Sequence, residues 1–203
     1  MQQVIERLKS TFHSVKKVKL HLENGKGPKI PISIEDLQQS IQEVFGVKIE
    51  KSEVHIITKS VGGFYERHSE KLAKIYVSGG QASEMVRYVL TKEMCHIVVD
   101  QPNERSPHGD RTIAAILNFM SSELMPFFGD ENNQIRSEQL AELAAIEFLY
   151  PYELRGPDRL KIRPTGASYS SLARHYGIPE FVVARALSKS YHAACKTVWD
   201  TLI

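Results

Sequence analysis

Arg87-Tyr88-Val89-Leu90-Thr91-Lys92-Glu93-Met94-Cys95-His96 lies inside a run from Ala82 to Val99 whose apolar residues fall at positions 85, 86, 89, 90, 94 and 98. Steps of three and four match the period of a helix, so the run is predicted to be helical and largely buried. Positions 92 and 96 then project about 40° apart on one face, separated by roughly 6 Å of rise. In a helix-borne HExxH site those two positions supply imidazoles to zinc, and the Glu beside the first is general base for the metal-bound water. Here the Glu and the second His are present as Glu93 and His96, and Lys92 stands at the first position. An ammonium has three donors and no lone pair, so it cannot bind zinc while protonated.

Outward from this helix, Val54 to Thr58 and Lys74 to Val77 are short β-branched runs, with Gly62-Gly63 between them and Gly79-Gly80 after them. They are predicted as strands of one antiparallel sheet. Ser33 to Phe45 is a predicted helix, with apolar residues at Ile34, Leu37, Ile41, Val44 and Phe45, Ser33 as its N-cap and two acids in its first turn. Beyond the loop Asp100 to Asp110, helices are expected over Thr112 to Phe127 and Ser137 to Tyr150, the second with Ser137 at its N-cap and alanines suited to close packing. Arg155 to Ala167, rich in Pro and Gly, is expected to be a linker. A short helix near Ser170 to Tyr176 stops at Gly177, and Ile178-Pro179 opens a last one.

The 87–96 stretch resembles the Arg-Phe-Thr-Leu-Ala-His-Glu-Leu-Gly-His segment of the ImmA/IrrE family of metallopeptidases. The strand Ile75-Tyr76-Val77 lies where that family places the last strand before its active-site helix. Glu138 to Pro151 is similar, without gaps, to the family's Glu-x-x-Ala…Phe-Ala-x-x-Leu-Leu-Met-Pro helix. Leu172 to Pro179, followed by Val183 and Arg185-Ala186-Leu187, is like the small helical pair after the peptidase core. The resemblance covers about residues 50–190 in the right order. It implies His96 and Glu138 as metal ligands and Glu93 as general base, and it offers no counterpart for Lys92. It also implies a setting: bacterial, phage and mobile-element proteins that cleave or disable a helix-turn-helix transcriptional repressor.

With His96 and Glu138 alone the site is one short of the three protein ligands of a catalytic zinc. His108, Asp110 and Asp100 are the nearest replacements in sequence. The simpler expectation is a site without zinc, in which the Lys92 ammonium takes the space of the cation and pairs with Glu138 or Glu93. A solvated lysine at the rim of a cleft is the plain alternative for Lys92.

The composition fits such a domain. In 203 residues, 26 Lys+Arg against 24 Asp+Glu leave a charge of +2, too close to neutral for a polybasic nucleic-acid binder. No apolar run approaches a membrane span, and Met1 to Lys19 mixes charges through any would-be export signal. Cys95 and Cys195 stand a hundred residues apart, giving no disulfide framework or CxxC pair, which suits a reducing cytoplasm. Residues 1–30 carry seven Lys/Arg against two Glu and end in Asn24-Gly25-Lys26-Gly27-Pro28, a basic lead segment with a turn. Residues 170–190 also look like a helix-turn-helix, and Arg174 and Arg185 could touch phosphate. The second helix, however, begins Pro179-Glu180-Phe181, without Arg, Asn or Gln to read a base edge.

The expected fold is α+β: a small antiparallel sheet packed on a zincin-like active-site helix, with a C-terminal helical pair. Its expected parts are a basic N-terminal segment and helix over 1–50, a metallopeptidase-like core over 51–156 and the helical pair over 157–203. The expected function is a cytoplasmic protein-binding module of bacterial or phage gene regulation, catalytically impaired by Lys92. The alternatives are a zinc peptidase that cleaves a repressor with a replacement ligand, and a DNA-binding regulator acting through 170–190.

Overall fold

In the computed structural model, residues 2–26, 30–56, 62–105, 133–165 and 168–202 are described. The predicted helix Thr112 to Phe127 and the candidate ligands His108 and Asp110 lie outside them.

The basic lead segment is a 25-residue helix, α1 (Gln2–Lys26), which runs through the Asn24-Gly25 expected to begin a turn. Phe12, Val15 and Val18 recur at helical spacing and are buried. Two of its cations turn inward: Arg7 donates to the Val99 carbonyl at 2.8 Å and pairs with Glu104, and Lys19 lies 3.3 Å from Glu153. These two basic residues thus tie α1 to other elements of the fold. α2 (Ile34–Phe45) forms as predicted, its Ser33 Oγ accepting from the Asp36 N–H at 3.2 Å and its end closed by Gly46 at φ 65°.

Three strands follow, β1 (Lys48–Val54), β2 (Gly63–Ser69) and β3 (Leu72–Ser78), in the order β1-β3-β2. The sheet is mixed. β1 runs parallel to β3, with Ile49 opposite Ala73, and β2 pairs antiparallel with β3, with Tyr65 opposite Ile75. The strand that ends at Val54 is therefore a parallel neighbour of β3 and not the antiparallel one expected, because the unpredicted β2 forms the hairpin with β3. β1 also lies ahead of the expected strand Val54 to Thr58: it ends at Val54, residues 55 and 56 belong to no strand, and residues 57 and 58 lie outside the described residues. Gln42 Oε1 accepts from the Ile49 N–H at 2.7 Å and Gln38 donates to the Ile49 carbonyl at 3.1 Å, so α2 pins the strand at its one buried residue.

Ala73, Ile75 and Val77 of β3 alternate into the core, and α3 (Ser83–Val99) lies across that face. A side chain at Gly63 would stand 2.5 Å from the Tyr76 carbonyl oxygen and 2.6 Å from Val89 Cγ1, so the missing Cβ is what lets α3 approach the sheet.

α4 (Asn133–Leu149) packs along α3 and buries Leu140, Ala141, Ala144 and Ala145, small residues that permit a close helix pair. It begins four residues before Ser137, which is an interior residue and not its cap. The expected linker is helical as far as Thr165, in α5 (Tyr152–Thr165), and its last two residues, 166 and 167, lie outside the described residues. Pro157 removes one backbone bond from it. Burial of Arg155 and Asp158 holds it regardless: Arg155 pairs with Glu147, and Asp158 accepts from Tyr150 at 2.9 Å and Tyr176 at 2.7 Å.

α6 (Tyr169–Tyr176) is capped by Ser168 and closed by Gly177 at φ 60°, and α7 (Glu180–Leu187) follows with Pro179 as the residue ahead of its first turn. The chain breaks at Ser188 and continues as α8 (Lys189–Leu202), so the last predicted helix is two. One buried cluster draws together Val15, Leu37, Ile75, Met94, Ile146 and Val183. A smaller one ties α1 to α8 through Phe12 and Trp199, edge to face at 5.2 Å. The architecture is α+β, and among the described residues no helix is long and apolar enough to cross a membrane.

Candidate functional site

Adjacent helices bring the sequence-predicted residues together: α3 carries Lys92, Glu93 and His96, and α4 carries Glu138. Lys92 Nζ lies 2.6 Å from Glu138 Oε2 and 2.9 Å from Glu93 Oε1. The other Glu138 oxygen lies 3.2 Å from His96 Nε2. One carboxylate thus takes a cation on each oxygen, and the ammonium bridges two carboxylates. The Lys92 and Glu138 side chains are 20% and 25% exposed, whereas that of Glu93 is 3% exposed, so water reaches the Lys92–Glu138 pair but hardly Glu93.

The opposite edge of the His96 ring is held as firmly. Nδ1 stands 3.2 Å from both Asp100 oxygens and 3.0 Å from Ser137 Oγ, and Ser137 donates to Asp100 Oδ1 at 2.6 Å. The Ser137 proton is spent on Asp100, so the contacts at Nδ1 require that this nitrogen carry the hydrogen. Tyr65 of β2 stacks on the ring, centroids 5.4 Å apart and planes within 8°.

The charges set one another. Burial alone would push Lys92 down, but Glu138 and Glu93 overcome it and hold the ammonium well above the ordinary lysine range. Burial likewise opposes the His96 imidazolium, and Asp100 and Glu138 outweigh it, so His96 is raised. Burial would raise Glu138, and Lys92 and His96 pull it far below the ordinary carboxylate range. Burial, then the Asp100 charge, pushes the Tyr65 hydroxyl up. The arrangement is a largely buried network in which Lys92 and His96 stand among the carboxyl groups of Glu93, Glu138 and Asp100. Its lysine is protonated and so is no nucleophile, and Glu93 has that ammonium on its Oε1.

Of the suggested replacement ligands, Asp100 approaches Nδ1, whereas Glu138 stands at Nε2, so Asp100 does not join Glu138 in a ligand set on that nitrogen. Among the described residues no group of three or more His, Cys, Asp or Glu is placed to hold a metal ion. Cys95 is fully buried and its thiol is pushed up by burial, then by Glu93, which keeps it unreactive.

The sequence offered Ser137 as a cap and Asp100 as a replacement ligand, not as the clasp on His96 Nδ1 that they form, and it did not bring Tyr65 to the site. Ser137 carried a signal, a polar residue just ahead of Glu138, that reads equally as a cap. Asp100 is four residues after His96, the spacing of a helical neighbour, and Tyr65 gave no signal because its strand was not predicted.

The helix-turn-helix-like pair faces the core. Arg185 Nη1 lies 2.5 Å from Glu142 Oε1 of α4, and Phe181 meets Tyr88 edge to face at 5.0 Å. Arg174 is on the exposed side of α6. The two arginines named for phosphate contact are thus divided: one is tied to α4 and one is at the surface.

A scan against protein-family models matches this chain to none, and a search of curated protein sequences gives no match either. The likeness to the ImmA/IrrE family rests on the motif residues themselves.

Proposed function

We propose that the chain is an ImmA/IrrE-like, metallopeptidase-fold protein whose site works without metal, and that it acts as a protein-binding module in bacterial or phage gene regulation, with a helix-turn-helix transcriptional repressor as partner. The observation that carries the reading is the position of Lys92 Nζ, 2.6 Å from Glu138 and 2.9 Å from Glu93, among the residues the resemblance assigns to the metal and its base. The donor set does not fit catalytic zinc: it offers His96 and Glu138, and the third contributor is a cation. A zinc ion would have to displace or deprotonate that ammonium while two carboxylates favour it. What remains is a rigid surface of a peptidase-like domain with its chemistry blocked.

The reading of a DNA-binding regulator gains little, because Arg185 and Phe181 of the would-be recognition helix are engaged with α4 and α3. The test is incubation with helix-turn-helix transcriptional repressors from the source genome, followed by mass spectrometry and size-exclusion chromatography. A complex that leaves the repressor intact supports the proposal. Cleavage that disappears in Glu93→Gln would replace it with the active peptidase. Repressor that stays both free and uncut would remove the partner from the reading.

A further inference from the structure

A groove of about 820 Å3 lies apart from the Lys92 site, between the first turns of α2, α3 and α7 and the outer side of α6. Its floor is aliphatic: Ile34, Val86, Leu90, Ala173, Ile178 and Pro179. Its rim carries both signs, with Glu35, Glu84 and Glu180 on the helix starts and Arg87 and Arg174 between them. Arg87 is partly committed, donating to the Ile32 carbonyl with Glu35 as its neighbouring charge. Glu84, Arg174 and Glu180 are exposed, and among the described residues none of the three is in an ion pair.

A ligand of one sign fits this rim badly. A nucleic acid or anionic lipid would face three carboxylates, and a polyamine would face two guanidiniums; like-charge juxtaposition costs specificity and affinity alike. The volume is at the upper end of small-molecule sites, and no aromatic ring lines it to stack on a base. We infer that the groove takes an amphipathic peptide segment of a partner protein, with aliphatic side chains on the floor, a basic side chain at Glu84 or Glu180 and an acidic one at Arg174. This mode is the helix-in-groove arrangement, in which apolar anchors supply affinity and flanking charges set orientation. It does not depend on whether the Lys92 site holds metal.

The experiment uses the full chain and three fluorescein-labelled 18-residue peptides with Leu at helical spacing. Their other positions are Lys and Glu in equal number, Lys alone, or Glu alone. Fluorescence anisotropy should show the mixed peptide binding about tenfold or more tighter than either single-sign peptide. Arg174→Glu should shift preference to the Lys peptide, Glu84→Lys with Glu180→Lys should shift it to the Glu peptide, and Leu90→Lys should weaken all three. Circular dichroism of each variant shows that it is folded. Equal binding of the three peptides, charge swaps without a change of preference, or no binding by any peptide would overturn the inference. Sedimentation showing a self-association that the Arg174→Glu variant loses would overturn it in favour of a second copy of the chain. Duplex DNA binding lost in Arg174→Gln would overturn it in favour of nucleic acid.

Discussion

Replacing Lys92 with Met keeps an unbranched apolar stem and removes the ammonium. Two contacts go, at 2.6 Å to Glu138 and 2.9 Å to Glu93. Glu138 keeps His96 at 3.2 Å and is a quarter exposed, so water and imidazolium compensate it. Glu93 is worse placed, because its side chain is 3% exposed and its next cation, His96 Nε2, is 3.8 Å away, beyond hydrogen-bond reach. Removing one partner of a buried ion pair costs about 3–5 kcal/mol. The partial exposure of Lys92 and Glu138 argues for the lower end, about 3 kcal/mol at pH 7. Lys92→Met with Glu93→Gln removes the stranded charge and should recover about 1–2 kcal/mol of that loss. Urea unfolding followed by circular dichroism, on all four members of the cycle, measures both quantities. A loss below about 0.5 kcal/mol for Lys92→Met, with no coupling to Glu93, would mean a solvated rim lysine and would refute the reasoning.

The same network sets a pH dependence. Glu138 is depressed below its ordinary 4.5, so its contribution is complete above about pH 4.5 and is lost as pH falls through the folded value; His96 is raised above its ordinary 6.5, so its contribution is complete below about pH 6.5 and is lost as pH rises through its folded value. The stability difference between the protein and its Glu138→Gln variant should therefore shrink in acid, and that for His96→Gln should shrink in alkali; flat differences in urea titrations from about pH 3 to 10 would contradict both. Asp158→Ala strips the acceptor shared by Tyr150 and Tyr176 at 2.9 and 2.7 Å and should cost about 2–4 kcal/mol, with Asp158→Asn costing about half, as read by urea unfolding. Gly63→Ala places a methyl group 2.5 Å from the Tyr76 carbonyl and should cost about 1–3 kcal/mol by thermal unfolding; an unchanged melting temperature would show that α3 can move off the sheet.

The parts of the fold that the sequence announced are those where apolar period and caps agree. α2 has Ser33 ahead of a clean three-and-four spacing, and α3 has the same spacing over 17 residues. The misreadings share a cause, which is polar residues that serve the interior. α1 reads as a charge run because Arg7 and Lys19 stand among its apolar positions, yet both reach carboxylates on other elements. α5 reads as a linker because Gly156-Pro157 interrupts it, while its anchors are a buried Arg155 and Asp158 that no hydrophobic pattern reveals. β1 offers one buried residue in seven, so only its pairing with β3 defines it. In the site, Lys92, Glu93 and His96 were legible from helical spacing, and Glu138 only through the resemblance. The Asp100–Ser137 clasp on the far side of His96 depends on how α3 and α4 meet, a relation that exists only in three dimensions.

The central claim, that the Lys92 ammonium stands where a metal would otherwise be held, is tested most directly by zinc content. The chain and its Lys92→His variant are purified in parallel without chelator, equilibrated with zinc, desalted and measured by inductively coupled plasma mass spectrometry. The account predicts less than about 0.1 equivalent in the unsubstituted chain and close to one in Lys92→His, where the introduced imidazole would join His96 and Glu138 as a three-ligand set. About one equivalent of tightly held zinc in the unsubstituted chain would contradict it.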